Sequence, residues 1–233
     1  MFFEEHAKLL SEFARVSQAA GARADYVQGG GGNTSVKLPG GLMAIKASGF
    51  CLSDIRPDKA YAVLDGADLR NFYLTTEPSA LADVEKEGSA RAKADIRHID
   101  GLADLRPSVE AGFHSILKTF VVHTHSVYAN LAACSTACRP IAAQALAGAN
   151  YTWGWVPYTD PGANLTFAIR DELRRVEAET GKAPSVILMQ NHGIIVHDDD
   201  PDTALAIHTD ANERLARMFG LSGTCLLYTS PSP

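Results

Sequence analysis

The six residues Val121 to Ser126, VVHTHS, constrain this chain more than any other stretch. Two valines running into His123-Thr124-His125 read as a strand, and in an extended backbone successive side chains alternate between faces. His123 and His125 therefore point the same way from one rigid strand end, positioned as metal ligands before any metal arrives. An open catalytic zinc site needs a third protein ligand. His192, in VILMQNHGIIV, is the comparably placed candidate, again at the end of an apolar run. Eight histidines in 233 residues also allow an H-x-H pair by coincidence, so spacing alone leaves the two readings level.

The segments before this strand supply a helix and short strands. Phe3 to Ala20 repeats Leu9, Leu10, Phe13, Val16 and Ala20 at helical spacing, with Gly21 as its stop. Four glycines, Gly29 to Gly32, then precede Asn33-Thr34-Ser35-Val36-Lys37. Glycine lets a backbone approach a ligand closely, and amides beside Asn, Thr and Ser can hold a phosphate or hydroxyl. The competing reading is a flexible hairpin loop. The run does not match G-x-x-x-x-G-K-[ST] and no helix pattern follows it, which argues against a nucleotide P-loop. Leu42 to Ala47 reads as a strand leaving through Ser48-Gly49. Lys46 and Ser48 share a face, either as a small polar patch or as a strand exit with a solvated lysine. Tyr61 to Leu64 is a short strand, and Thr76 to Arg97 is helical in part without evident chemistry.

Ser108 is placed to cap a helix running to about Lys118. Glu110 would lie in its first turn, where the helix dipole favours a negative charge, and shares a face with His114 at i, i+4. That pair reads as surface electrostatics, or, since the helix feeds the HTH strand, as a carboxylate brought near a metal. Downstream, Ser126 caps a short helix to about Ala133, and Tyr151 to Tyr158 alternates as a strand. Asn164 to Glu179 is an amphipathic helix ending near Gly181. Ser185 to Gln190 and Ile194 to His197 are strands. His197-Asp198-Asp199-Asp200 lacks EF-hand spacing and reads as a turn whose Asp200 caps a helix from Pro201 to about Gly220, with His208 structural. Leu221 to Pro233, LSGTCLLYTSPSP, fits neither period and is expected to be an irregular tail, wholly or partly non-native, leaving 1–220 as one domain.

Composition narrows the function classes. Net charge is −6 and the sequence pI about 5.7, without a long basic run, which argues against a nucleic-acid surface. Cys51, Cys134, Cys138 and Cys225 form no C-x-x-C pair and read as reduced thiols of a cytoplasmic protein, although Cys134 and Cys138 at i, i+4 can face one another on a helix. MFFEEHAKLL carries acidic residues too early for a signal peptide, and no 18-residue uncharged apolar run marks a membrane span.

Five motifs in one order carry a resemblance: GGGNTSVK, KASG, PSVE, VVHTHS and QNHGIIV. Together they resemble the class II aldolase/adducin family, which includes fuculose- and rhamnulose-phosphate aldolases, over residues 5 to 218. The resemblance implies a three-layer α/β/α fold with a largely antiparallel central sheet. It implies zinc on His123, His125 and His192, with Glu110 as catalytic acid/base. It implies a homotetramer with active sites between subunits, and a phosphorylated sugar gripped by Gly32, Asn33, Ser48, Gly49 and Ser108. Many of the aldolases carry a second serine just before the glutamate; Val109 stands there here and removes one donor. The long glycine run is similar to that of aldolase domains fused to short-chain dehydrogenases, and this chain is expected to be cut short of such a partner.

The implied chemistry is a reversible cleavage of a ketose phosphate to dihydroxyacetone phosphate and an aldehyde. Breaking that bond leaves an enediolate, whose charge a metal Lewis acid can absorb. Glu110 would move the proton at the enediolate carbon. A second base, a tyrosine of a neighbouring subunit in the family's aldolases, has no evident counterpart. Three alternatives remain. The family's sugar-phosphate 4-epimerases carry aspartate where Glu110 stands. A decarboxylase of 3-oxo-sugar-acid phosphates shares the glutamate and histidines. Adducin-like heads keep the fold as an interaction module and lack the metal set.

Overall fold

A computed structural model describes residues 1–221, so all but the first residue of the tail expected to be irregular lies outside the described residues. The chain opens with α1 (Phe2–Glu5) and α2 (Ala7–Gly21). The single helix expected over this stretch kinks at His6, which leaves helical geometry and sets its buried ring edge-on to Phe2 at 4.8 Å. Gly21 is the last residue of α2, not a left-handed stop. A Cβ there would meet the Ser53 amide at 2.7 Å, so glycine permits close packing against residues 52–54.

The elements that follow are β1 (Asn33–Lys37), β2 (Leu42–Lys46), β3 (Tyr61–Asp65), α3 (Gly66–Thr75), α4 (Val84–Ala94) and β4 (Ile96–Arg97). Next come α5 (Ala111–Ile116), β5 (Phe120–Thr124), α6 (Val127–Ala133), α7 (Cys138–Ala145) and β6 (Trp153–Val156). The chain closes with α8 (Ala163–Thr180), β7 (Val186–Met189), β8 (Gly193–Asp198) and α9 (Pro201–Met218). The glycine run is therefore followed by a central strand, β1. Cys134 and Cys138 fall on either side of the break between α6 and α7 rather than along one helix. Among the described residues Cys51, Cys134 and Cys138 are free thiols, Cys225 lies outside them, and no helix is long and apolar enough to cross a membrane.

The strands form one sheet in the order β4-β3-β2-β1-β5-β8-β7-β6, antiparallel throughout except for the parallel pair β6/β7. Helices cover both faces. Val122, Ile194 and Val196 point into the core formed with α2, α6, α7 and α9. Val121, Ile187 and Ile195 point into the core formed with α3, α5 and α8. This is why the central strands are continuous apolar runs rather than alternating ones. The fold is three-layer α/β/α with a largely antiparallel sheet, as the resemblance implied.

Candidate metal centre

The parity of β5 fixes the site. Val121, His123 and His125 share the face toward α5, while Thr124 turns to the other side and pairs with His208 Nε2 at 2.8 Å. His208 is structural, as expected. His123 Nδ1 donates to the Ile194 carbonyl at 3.0 Å, which sets its tautomer and leaves Nε2 as a lone-pair donor toward the site. That Nε2 lies 3.2 Å from His125 Nε2.

His192 enters from the turn between β7 and β8. Asn191 adopts a left-handed backbone there (φ 54°), a conformation asparagine tolerates better than most residues. A ligand nitrogen from each of His123, His125 and His192 falls within 4.8 Å of the others, and among the described residues this is the group able to hold a metal. Gly32 packs directly on the HTH backbone. Its φ is +68°, and a Cβ would stand 2.6 Å from the His123 carbonyl oxygen, so only glycine fits.

Glu110 joins the histidines by a route other than the one expected. The helix expected from Ser108 to about Lys118 begins only at Ala111 and ends at Ile116, so Glu110 is the N-cap residue and Ser108 is not. The Glu110 side chain makes no capping bond because its carboxylate turns inward. Only 5% of the residue is exposed, and His114 is fully buried, so the pair is not a surface one. Oε2 accepts from Asn33 Nδ2 at 2.5 Å and lies 3.5 Å from His123 Nε2. Oε1 is 3.1 Å from His192 Nε2 but out of hydrogen-bonding alignment, and it is buried without a partner.

Burial pushes the Glu110 carboxyl up, but His123, His192 and the Asn33 amide outweigh it and hold it below the ordinary carboxylate range. His123 is pushed down to about 3, chiefly by burial, with Glu110 opposing and His125 and His192 adding. Burial and then His192 lower His125 as well. The lowered values of His123 and His125 favour neutral imidazoles, the form that ligates metal. Converging lone pairs beside an unpartnered carboxylate oxygen fit a divalent cation, with three nitrogens to hold it.

The polar segments of the sequence close around this cluster. Asn33 sits opposite His123 in the β1/β5 register. Its Nδ2 also donates to Ser108 Oγ at 3.2 Å, and its Oδ1 meets His114 Nε2. His114 Nδ1 in turn pairs with Ser35 Oγ at 2.8 Å. Ser48 Oγ donates to the Pro107 carbonyl at 3.1 Å, and Ala47 bridges to Pro107, so the KASG and PSVE segments touch. Gly49 has a left-handed backbone beside them. Val109 is exposed and offers no hydroxyl. Lys46 is not the solvated lysine of the competing reading: it is buried and donates to the Phe50 carbonyl at 2.8 Å and to that of Gly30 at 3.3 Å. Beside His125 runs an open cleft of about 420 Å³, walled by Gln28, Asn130, Leu131 and Cys134. The residue that sequence reasoning underrated is His114. Its signal was the i, i+4 spacing from Glu110, and what hid its role was the strand partner it needs, Asn33.

The sequence profile of the family described as Class II Aldolase and Adducin N-terminal domain matches residues 11–219. No curated protein sequence matches. Solved structures do. The N-terminal class II aldolase domain of a conserved protein from Thermoplasma acidophilum superposes with a TM-score of 0.72 at 21% identity, over 89% of this chain and 92% of that one. YgbL from Klebsiella pneumoniae, a candidate aldolase/epimerase/decarboxylase, gives 0.62 at 18% identity, over 97% and 95%. The L-fuculose-1-phosphate aldolase from Thermus thermophilus gives 0.54 at 15% identity, over 98% and 100%. At such identities the likeness to these structures is one of fold.

Proposed function

Because the chain belongs to the class II aldolase and adducin N-terminal domain family, we propose that it is a zinc-dependent aldolase that reversibly cleaves a ketose phosphate into dihydroxyacetone phosphate and an aldehyde. The observation that carries this reading is the convergence of three histidine nitrogens on a buried glutamate whose Oε1 has no hydrogen bond. An interaction module of the same fold has no use for that arrangement.

In this reading His123, His125 and His192 hold the zinc. When bound, it supplies the Lewis acidity that offsets the electron pair left beside a carbonyl as the carbon–carbon bond breaks. Glu110 handles the proton at that carbon through Oε1, returning it in cleavage and removing it in condensation. Oε2 stays anchored to Asn33, so the carboxylate keeps one orientation in both directions. Gly32, Asn33, Ser48, Gly49 and Ser108 grip the phosphate, Asn33 by exchanging its longer Ser108 contact for the ligand. Val109 contributes nothing to that grip beyond its amide. The active protein is a homotetramer in the cytoplasm, with the remaining acid/base group supplied across a subunit boundary.

Two measurements test the reading together. Metal analysis of protein purified under mild conditions should find zinc at one per chain. Incubation with ketose 1-phosphates, pentulose 5-phosphates and 3-oxo acid phosphates should release dihydroxyacetone phosphate. Carbon dioxide release from the last group would instead make it a decarboxylase. Absence of both zinc and turnover would leave an adducin-like module.

A further inference from the structure

At the end of the sheet opposite the histidines lies a cavity of about 720 Å³, within the usual range for small-molecule sites. β1 connects the two places. Asn33 begins the strand at the histidines and Lys37 ends it at the cavity, about 13 Å away at the usual strand rise. Leu42, Leu74 and Leu173 give the cavity an apolar wall, and Lys37, Arg70 and Arg174 line it with positive charge.

The balance of charge there is incomplete. Lys118 and Arg170 also reach the cavity, but they pair with Asp198 and Asp171; Arg174 lies 3.9 Å from the same Asp171 and donates to the Leu74 carbonyl at 3.1 Å. Lys37 and Arg70 meet only carbonyls: Lys37 Nζ that of His114, and Arg70 those of Ser115 and Ile116 at 3.3 and 2.5 Å. Those carbonyls lie at the C-terminal end of α5, whose partial negative charge attracts the two groups without supplying a full counter-charge. Two acids also line the cavity: Asp199, which accepts from the Thr119 amide and hydroxyl and keeps its charge, and Glu177, which is exposed; with Asp198 and Asp171 they still number one fewer than the five basic side chains. The Lys37 ammonium is pushed well below its ordinary range, by burial first and by Arg70 next, with Asp199 opposing. A nearby anion would relieve that repulsion. His197, also in the lining, is buried with Nε2 unpartnered.

We propose that this cavity is a second ligand site, separate from the metal centre, which takes a small organic anion. Its carboxylate or phosphate head sits at Lys37 and Arg70, and its apolar body lies along Leu42, Leu74 and Leu173. The metal centre offers imidazoles and hydroxyls; this cavity offers guanidinium groups and a half-buried lysine beside hydrocarbon. The two select different ligands.

The probe is 8-anilinonaphthalene-1-sulfonate, an aromatic body with one anionic head, titrated by fluorescence into the full-length protein. Binding should saturate at one molecule per chain. Arg70→Gln should weaken it about tenfold, the usual scale for one charged contact, and Arg174→Glu, which reverses a charge on the lining, should weaken it at least about threefold. Leu131→Asp, beside the histidines, should leave it unchanged. Arg174 has an exposed side chain, so its substitution keeps the test valid if Arg70→Gln does not fold. Benzoate and phenyl phosphate then compete for the probe. Displacement by either supports the site and identifies the head group. Displacement by neither, absence of saturable binding, or affinity in Arg174→Glu within about twofold of the wild type would overturn the proposal.

Discussion

The Asn33 amide donates to Glu110 Oε2 at 2.5 Å, and both residues are buried. Which end of the amide faces the carboxylate is fixed by His114, whose Nε2 meets Asn33 Oδ1 while Ser35 holds its Nδ1. Three alternate residues of β1, Asn33, Ser35 and Lys37, thus converge on one histidine of α5, the last through the histidine's backbone carbonyl. A carboxylate that must carry a proton to one carbon needs such an anchor.

His114→Phe fills the same buried space but cannot orient Asn33. Turnover should fall roughly 10- to 100-fold, the usual cost of losing an outer-shell partner, while zinc stays at one per chain. Steady-state kinetics alongside metal analysis checks this. Turnover within a factor of two of the parent would remove His114 from the positioning of Glu110.

Zinc itself should depend on the HTH strand. His125→Ala removes one of three ligand nitrogens that lie within 4.8 Å of one another, and should lose both metal and activity. Metal analysis after dialysis reads the outcome. Stoichiometric zinc in the variant would sink the ligand assignment.

Glu110→Gln separates metal from proton transfer. The amide keeps the size of the side chain, so zinc should remain bound. Turnover should drop roughly 10²- to 10⁴-fold, the range for a general acid–base group. Because glutamine does not titrate, the acidic limb of any pH–rate profile belonging to Glu110 should also disappear.

The histidine cluster was legible because strand alternation is strict: once Val121 and Val122 are in a sheet, His123 and His125 must share a face. His192 was legible as the end of a second apolar run. Glu110 was found as a residue but misplaced in its helix. Ser108 looked like a cap, whereas the helix starts after Glu110 because the carboxylate is held inward by a strand 77 residues earlier in the chain. Lys46 stayed open between two readings for the same reason. A lysine at a strand exit can be solvated or part of a polar patch, and the carbonyls of Gly30 and Phe50 that decide it come from elsewhere in the fold. Local signals set faces and ends. Which loop closes on which end depends on sheet order, and β1 lies between its neighbour in sequence, β2, and the distant β5.

α4, a segment without evident chemistry in the sequence, anchors α8. The Glu85 carboxylate accepts from the Ala163 and Asn164 amides at 2.9 and 2.7 Å, at the N-terminus of a helix whose own N-cap, Gly162, has no side chain. Glu85→Ala should cost about 1 kcal/mol, the typical value of a lost N-terminal cap. Urea denaturation checks it. A change below a few tenths of a kcal/mol would mean that water replaces the carboxylate without loss.

His208 gives the protein a dependence on acid that is separate from catalysis. It is buried against Tyr26, with Thr124 at Nε2, and its pKa is pushed down to about 3, by burial first and Arg23 next. In the unfolded chain the same imidazole titrates near 6.5. Between those values the unfolded state binds a proton that the folded state does not. The unfolding free energy therefore falls as pH falls, beginning near pH 6.5 and levelling only near pH 3. The full slope for one such group is roughly 1.4 kcal/mol per pH unit. His197, pushed down to about 3 by burial and by Lys37 and Lys118, adds in the same direction. His208→Gln can still meet Thr124 but cannot titrate. Its stability should decline less steeply than the parent's from pH 6 to 5, by about 1 kcal/mol per pH unit, whatever its stability at pH 7. Urea unfolding at several pH values reads the slope directly. Parallel slopes would show that His208 carries its proton in the folded state as readily as in the unfolded one.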